Sequence, residues 1–144
     1  MTALYDSIGL NYLDLRRPDP RIAAVIEQAL GPARTVINVG AGTGSYEPEG
    51  RIVTAVEPSL EMIRKRRHPA AKIVQASAEN LPFGDQAFDA AMAVLTVHHW
   101  QDKAAGLREV RRVTRGPIAI LTYDPAAFAP AVRPSGRSLM LTRV

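Results

Sequence analysis

The feature that most constrains the fold of this chain is a hydrophobic strand that leads directly into a cluster of glycines. Residues 35–39 read TVINV, in which four of five residues are β-branched, and residues 40–44 read GAGTG. A run of this composition is typical of a strand buried on both faces. Because glycine tolerates positive φ angles and has no side chain to intrude, the cluster predicts a tight turn with a ligand against its backbone.

Strand and helix patterns alternate along the rest of the chain. Four more strand candidates follow the glycine cluster: RIVTAVE, AKIVQA, FDAAMAVLTV and PIAILTY. Helical patterns separate them in SLEMIRKRR and DKAAGLREVRRVTR. The alternation predicts an α/β protein with a mainly parallel sheet, in which about five strands are recognisable.

Two of the predicted helices have clear boundaries or faces. Asp19-Pro20 is typical of a helix start, and Gly31-Pro32 of a helix end. In the last helix, an apolar face is predicted from the helical spacing of Ala104, Leu107, Val110 and Val113, with arginines including Arg112 on the solvated side.

Composition excludes several classes of site and of protein. The 144 residues suffice for one domain and contain no cysteine, which excludes disulfides, thiolate zinc sites, iron–sulfur clusters and cysteine nucleophiles. The net charge of +4 is modest and does not indicate a nucleic-acid partner. Residues 1–9 do not resemble a secretory signal, and no apolar run approaches the roughly 18 residues of a membrane span. We therefore expect a cytoplasmic protein without membrane contact.

An acidic residue at the end of the second strand candidate points to the ligand class. Glu57 follows Gly40 by seventeen residues, near the offset of about 20 residues at which a carboxylate binds the ribose hydroxyls of an adenosine cofactor. A dinucleotide would require the pattern G-x-G-x-x-G/A, whereas this chain has Ser45 at its last position and Pro48 in a short connection to the next strand. The spacing therefore disfavours a nicotinamide-dependent oxidoreductase.

In their order, these segments resemble the class I S-adenosylmethionine-dependent methyltransferases, over about residues 5–125. The branch they look most like contains the ubiquinone and menaquinone methyltransferases. The matching segments are VINVGAGTGSYEP, VTAVEPSLEMI, ASAENLPFGDQAFDAAMAVLTVHHW and LREVRRVTRGPIAILTYDP. The resemblance implies a Rossmann-like, doubly wound sheet, S-adenosyl-L-methionine as cofactor and methyl transfer to a small molecule.

The resemblance also implies which residues hold the cofactor. Gly40, Ala41 and Gly42 would run beneath its methionine part, Gly44 would complete the loop, and Glu57 would bind both ribose hydroxyls. The adenine pocket would be formed by Pro58, Met62, Ser77 and Ala78. Leu95 and Thr96 would lie beside the sulfonium. Tyr12 and Arg16 would contact the cofactor carboxylate.

Two positions depart from the family's pattern. The family often has an acid two residues before the first glycine, where this chain has Asn38, and an aspartate in the adenine loop, where it has Ser77. Both replacements keep hydrogen-bonding groups. We expect them to weaken an ammonium contact and an adenine contact without abolishing the site.

The end of the chain also departs from the family, whose members continue past the fifth strand through a helix and an antiparallel strand pair. Here we expect residues 1–125 to form the methyltransferase domain and residues 126–144 a short basic tail whose only strand-like segment is SLMLTRV. The edge of the fifth strand would then be covered by this tail, by a second subunit in a homo-oligomer, or by nothing.

Methyl transfer from a sulfonium requires a positioned nucleophile shielded from water more than it requires a catalytic side chain. The candidates for a base are His98 and His99, which follow the fourth strand directly, because imidazole accepts a proton near neutral pH. With no cysteine and no third ligand in the sequence, the pair does not indicate a metal. Cation–π contact with the sulfonium has four aromatic candidates: Tyr5, Tyr12, Tyr46 and Trp100.

Two functional hypotheses remain open at this point. The first is an S-adenosylmethionine-dependent methyltransferase acting on an unidentified small molecule. The second is a non-catalytic module, or a truncated relic, that binds S-adenosylmethionine or its homocysteine product and acts through a partner. RNA methylation has little support, because the basic residues lie on helix faces and in the tail without interleaved aromatics.

Overall fold

Strands and helices alternate in the computed structural model, which describes residues 4–10, 18–66, 71–123 and 137–143. Its strands are β1 (Leu4–Leu10), β2 (Thr35–Val39), β3 (Ile52–Val56), β4 (Lys72–Val74), β5 (Ala90–Val94), β6 (Ile118–Tyr123) and β7 (Arg137–Arg143). Its α-helices are α1 (Pro20–Leu30), α2 (Leu60–Arg64) and α3 (Lys103–Val113), and a short 3-10 helix spans Val97–His99. In these ranges no helix combines the length and apolar character that crossing a membrane requires.

The five strands predicted from the sequence form a parallel sheet, which confirms the predicted fold class. They lie side by side in the order β4-β3-β2-β5-β6. The chain first builds outward from β2 through β3 to β4 and then returns to the other side of β2 with β5. Ligands of doubly wound sheets bind beyond the carboxyl ends of the strands at such a reversal, so the topology points to the ends of β2 and β5.

Two antiparallel strands extend the sheet beyond β6. β7 pairs with β6, with Leu141 in register with Leu121, and β1 pairs in turn with β7. The strand-like segment of the predicted tail therefore covers the edge of β6, the first of the three arrangements expected for it. β1 was missed from sequence because Asp6 and Gly9 have low β propensity; its pairing with β7 is what makes it a strand.

Helices pack on both faces of the sheet because neighbouring strand residues point to opposite sides. Val36 and Met92 belong to the hydrophobic core beneath α1, whereas Ile37 and Ala93 belong to the core beneath α3. α1 begins as predicted, with the Asp19 carboxylate accepting the amide hydrogen of Arg21 over 2.8 Å. The buried residues of β2 thus separate two cores and place its carboxyl end between two layers of helices.

The apolar face predicted for α3 was partly wrong. The buried residues of this helix are Gly106, Val110 and Val113, whereas Leu107 is 39% exposed and Ala104 is also exposed. Trp100 packs against this helix at Gly106, where an added Cβ would lie 2.5 Å from Cε3 of the indole. The ring takes the volume that a larger helix side chain would need.

Candidate cofactor and active site

One cavity of about 770 Å³ collects residues from the loops that follow β2, β3, β4 and β5. Among its lining residues are all the predicted cofactor residues that fall in the described part of the chain: Gly40, Ala41, Gly42, Gly44, Glu57, Pro58, Met62, Ser77, Ala78, Leu95 and Thr96. The other two, Tyr12 and Arg16, lie outside the described residues. Tertiary structure therefore brings together segments that lie more than fifty residues apart in sequence.

The glycine loop is held by backbone hydrogen bonds to the neighbouring strand. The amides of Gly40 and Ala41 both donate to the carbonyl oxygen of Val56, each over 2.9 Å. Gly40 has a φ of +69° and Gly42 a φ of +54°, in the left-handed region that glycine enters readily. The loop thus crosses the carboxyl end of β3 with its backbone against the cavity.

Glu57 is 7% exposed and has both oxygens engaged by backbone amides. One oxygen accepts from the amide of Gly42 and the other from the amide of Ser59, each over 2.8 Å. A carboxylate oxygen accepts more than one hydrogen bond, so each retains acceptor capacity towards the cavity. Besides the ligand contact predicted from its spacing, Glu57 joins the glycine loop to the start of α2.

The loop that follows Ser77 and Ala78 is fastened to α3 by Arg112. The guanidinium of Arg112 donates to the carbonyl oxygens of Leu81 and Phe83, over 3.0 and 2.8 Å, and to the Asp85 carboxylate over 3.0 Å. Glu109 accepts from the amide of Leu81, and hydrogen bonds from Arg112 lower the pKa of Glu109. Helical spacing predicts Arg112 on a solvated face and misses these contacts. A contact with residues about 30 positions away has no local sequence signal.

At the end of β5 the chain turns sharply before the two histidines. Leu95 has a φ of +53°, which is uncommon for a residue with a side chain. After it, the 3-10 helix carries both imidazoles, whose ring centroids are 3.9 Å apart. His99 lines the cavity, whereas His98 is not among the lining residues.

The surroundings of His98 change its pKa. Burial, followed by the charges of His99 and Lys103, lowers the pKa of His98, so its imidazole is neutral at neutral pH. Within the described ranges, no three His, Asp or Glu side chains are grouped as metal ligands. Of the two imidazoles, that of His99 is the one that lines the cavity.

Two of the four aromatic candidates lie at the cavity. Tyr46 and Trp100 both line it and are 9% and 8% exposed. The hydroxyl oxygen of Tyr46 accepts the amide hydrogen of Asp19 over 2.9 Å, which ties the loop to the start of α1. Tyr5 belongs to β1, and Tyr12 lies outside the described residues.

Comparison with known proteins connects these segments with one protein family. Residues 37–117 match the family described as "Methyltransferase domain". Demethylmenaquinone methyltransferase of Corynebacterium kroppenstedtii is 38% identical over 88 residues, which make up 58% of this chain and 38% of that protein.

Two solved structures share the fold and part of the sequence. One, from Anabaena variabilis, is assigned as a methyltransferase of an antibiotic biosynthesis pathway; it superposes with a TM-score of 0.74 at 32% identity, covering 82% of this chain and 51% of that chain. The other is an S-adenosylmethionine-dependent methyltransferase of Thermotoga maritima, a possible histamine N-methyltransferase, with a TM-score of 0.67 at 28% identity, covering 78% and 55%.

The chain thus spans 38% to 55% of the lengths of these relatives. The family match covers more than half of this chain and includes β2, the glycine loop, Glu57 and the end of β5. The same segments form the parallel sheet and line its cavity. The chain therefore belongs to the methyltransferase domain family, with the fold of the class I S-adenosylmethionine-dependent methyltransferases.

Proposed function

We propose that this chain binds S-adenosylmethionine in the cavity and transfers its methyl group to a small-molecule acceptor. One observation carries the proposal. The glycine loop, Glu57, the Ser77 loop and the turn at Leu95 reach a single cavity from four different strands. This is the set of segments that the resemblance assigns to the cofactor.

The residues present fit that cofactor. Glu57 offers a buried carboxylate to the ribose hydroxyls, and the glycine loop offers backbone without side chains at three positions. Asn38 is 3% exposed and lines the cavity, and its Oδ1 has no donor among the described residues. A buried acceptor without a partner is costly, so a ligand N–H at this position stabilises the complex.

When bound, S-adenosylmethionine supplies a methyl group activated by its positively charged sulfur. Tyr46 and Trp100 line the same cavity, and aromatic rings attract a cation that binds against them. We assign His99, which lines the cavity, as the base that accepts a proton from the acceptor, with His98 beside it. Thr96 and Trp100 are largely buried and help to exclude water from the site of transfer.

The relatives named demethylmenaquinone methyltransferase favour an aromatic ring of the quinone type as the acceptor to examine first. An aromatic ring also suits the acceptor side of the cavity, where the ring of Trp100 lies next to His99 in sequence and lines the same space.

Calorimetry on the 144-residue chain tests the cofactor assignment. S-adenosylmethionine and S-adenosylhomocysteine should bind with micromolar dissociation constants, and NADH should not bind. Absence of binding by a chain shown to be folded by circular dichroism would refute the proposal. Transfer of a labelled methyl group to a panel of quinols then separates an enzyme from a module that only binds the cofactor.

A further inference from the structure

Three polar side chains form a buried chain of contacts behind the glycine loop. Nδ2 of Asn38 donates to Oε2 of Glu47 over 2.7 Å, and the other Glu47 oxygen pairs with Arg66. A second guanidinium nitrogen of Arg66 donates to the carbonyl oxygen of Gly42 over 3.2 Å. The side chains of Glu47 and Arg66 are only 14% and 3% exposed, so the ion pair is largely removed from water.

The glycine loop has the shape that this ion pair requires. Gly44 has a φ of +82°, and a Cβ there would lie 2.8 Å from Oε1 of Glu47 and 2.9 Å from Nη2 of Arg66. A side chain at position 44 would therefore displace the pair. This contact gives a physical reason for the third glycine of the G-x-G-x-G pattern.

Glu47 determines which way the Asn38 amide points. The oxygen and the nitrogen of an asparagine amide have nearly the same shape, so their partners decide the orientation. A carboxylate only accepts hydrogen bonds, and the carboxylate of Glu47 is held in place by its pairing with the guanidinium of Arg66. The NH₂ group of Asn38 must face Glu47, and Oδ1 is left as the buried acceptor without a donor in the described ranges.

We propose that Glu47 and Arg66 are positioning residues that hold Asn38 with its carbonyl oxygen available to the ammonium group of S-adenosylmethionine. The inference rests on the proposed function. It reverses the expectation that Asn38 weakens the ammonium contact in this chain. An acid at position 38 would place two carboxylates in the 2.7 Å contact that Asn38 and Glu47 now make, and like charges at that distance cannot both stay ionised without cost.

Calorimetry on the full chain with two ligands tests the proposal. S-adenosylhomocysteine carries the ammonium group, whereas 5′-methylthioadenosine keeps the adenosine and the thioether but lacks the amino-acid end. Asn38→Asp should weaken S-adenosylhomocysteine binding by about tenfold or more, as loss of a hydrogen bond to a charged group does. Binding of 5′-methylthioadenosine should change by less than about threefold, because the adenosine contacts are untouched.

A second substitution separates positioning from a general loss of structure. Glu47→Gln added to Asn38→Asp should restore most of the affinity for S-adenosylhomocysteine, because a glutamine NH₂ then donates to the new carboxylate. Glu47→Gln alone should lower the affinity for S-adenosylhomocysteine relative to 5′-methylthioadenosine. Glu49→Gln removes the same charge from an exposed neighbour and should leave both affinities unchanged.

The outcomes distinguish this inference from the proposed function. Binding of neither ligand by the folded wild-type chain refutes the cofactor assignment itself. The positioning role is refuted if the wild type binds normally and Asn38→Asp binds S-adenosylhomocysteine as tightly or more tightly. It is also refuted if the double variant recovers no affinity for S-adenosylhomocysteine. If Asn38→Asp does not fold, Glu47→Gln and Glu49→Gln decide the question. The proposal is overturned if the ratio of S-adenosylhomocysteine affinity to 5′-methylthioadenosine affinity is the same in both variants.

Discussion

Gly40 and Thr96 approach so closely that a Cβ on Gly40 would lie 2.0 Å from Oγ1 of Thr96 and 2.7 Å from its Cβ. Gly40 follows β2 and Thr96 follows β5, the two neighbouring strands between which the chain order reverses. The left-handed backbone of Leu95 precedes this contact. Contact between the two turns is what brings the glycine loop and the histidine-bearing segment to one cavity.

Gly40→Ala should therefore destabilise the chain and abolish cofactor binding. Gly50→Ala is the matched control, because Gly50 has a φ of +73° with nothing within 4 Å of an added Cβ. The control should lose about 1 kcal/mol of unfolding free energy from backbone strain alone. Gly40→Ala should lose about 2 to 4 kcal/mol because overpacking adds to that strain. Urea unfolding compares them, and equal losses would mean that the Thr96 contact yields easily.

Glu57→Gln should weaken S-adenosylhomocysteine binding by at least about tenfold. A glutamine replaces one acceptor oxygen with an NH₂ group, which then faces the amide of Gly42 or of Ser59 or displaces a ribose hydroxyl. Glu61→Gln, on exposed helix surface nearby, should leave binding unchanged. Calorimetry measures both, and retained affinity in Glu57→Gln would remove Glu57 from the cofactor site.

His99→Asn should lower the rate of methyl transfer by about a hundredfold, the usual contribution of a general base, while S-adenosylhomocysteine affinity stays the same. His98→Asn should have a smaller effect, because His98 is not among the cavity-lining residues. Single-turnover assays with labelled cofactor and the acceptor found in the quinol panel measure the rates. Full rates in both variants would show that neither imidazole is the base.

Arg112→Met should lower the free energy of unfolding and reduce cofactor affinity. The substitution removes the donors that hold the carbonyl oxygens of Leu81 and Phe83, and it removes the guanidinium that pairs with Glu109. Arg108→Met is the control, because it removes an exposed arginine from the same helix, α3. It should change the free energy of unfolding and the cofactor affinity little. Thermal unfolding with and without S-adenosylhomocysteine measures stability and cofactor affinity. Equal losses in the two variants would contradict the role of Arg112 in holding the loop that follows Ser77 and Ala78.

Asp89 should make the stability of the fold fall in acid. Its carboxylate accepts from the backbone amide of Thr35, from Arg115 and from the amide of Arg34, which lower its pKa from 3.8 to about 2. Folding therefore favours the ionised form. This stabilisation is complete above about pH 5 and is lost as the pH falls through 3.8 towards 2.

Thermal unfolding between pH 6 and pH 2 checks this dependence. Asp89→Asn should be less stable than the wild type at pH 6 and should lose less of its melting temperature on acidification. Asp85→Asn, which removes a charge from an exposed loop, should keep the wild-type pH dependence. An unchanged acid transition in Asp89→Asn would show that other carboxylates control it.

The sequence by itself determined the local secondary structure and the positions of the cofactor motifs. Five strands, the start of α1, the glycine loop and the position of Glu57 follow from β-branched runs, capping residues and spacing. These features depend on interactions within a few residues, or on the short offset between Gly40 and Glu57, which one loop and one strand span. The ordered set of motifs was also sufficient to predict the family, which the match over residues 37–117 confirms.

Tertiary structure alone decided the contacts between segments far apart in the chain. Arg112 reaches carbonyl groups 29 and 31 residues away, Arg66 reaches Glu47 across 19 residues, and β7 pairs with both β6 and β1. It also placed His99 rather than His98 at the cavity, and Trp100 against Gly106. Periodicity records only which face of an element is apolar; which partner meets a polar group depends on where the rest of the chain has packed.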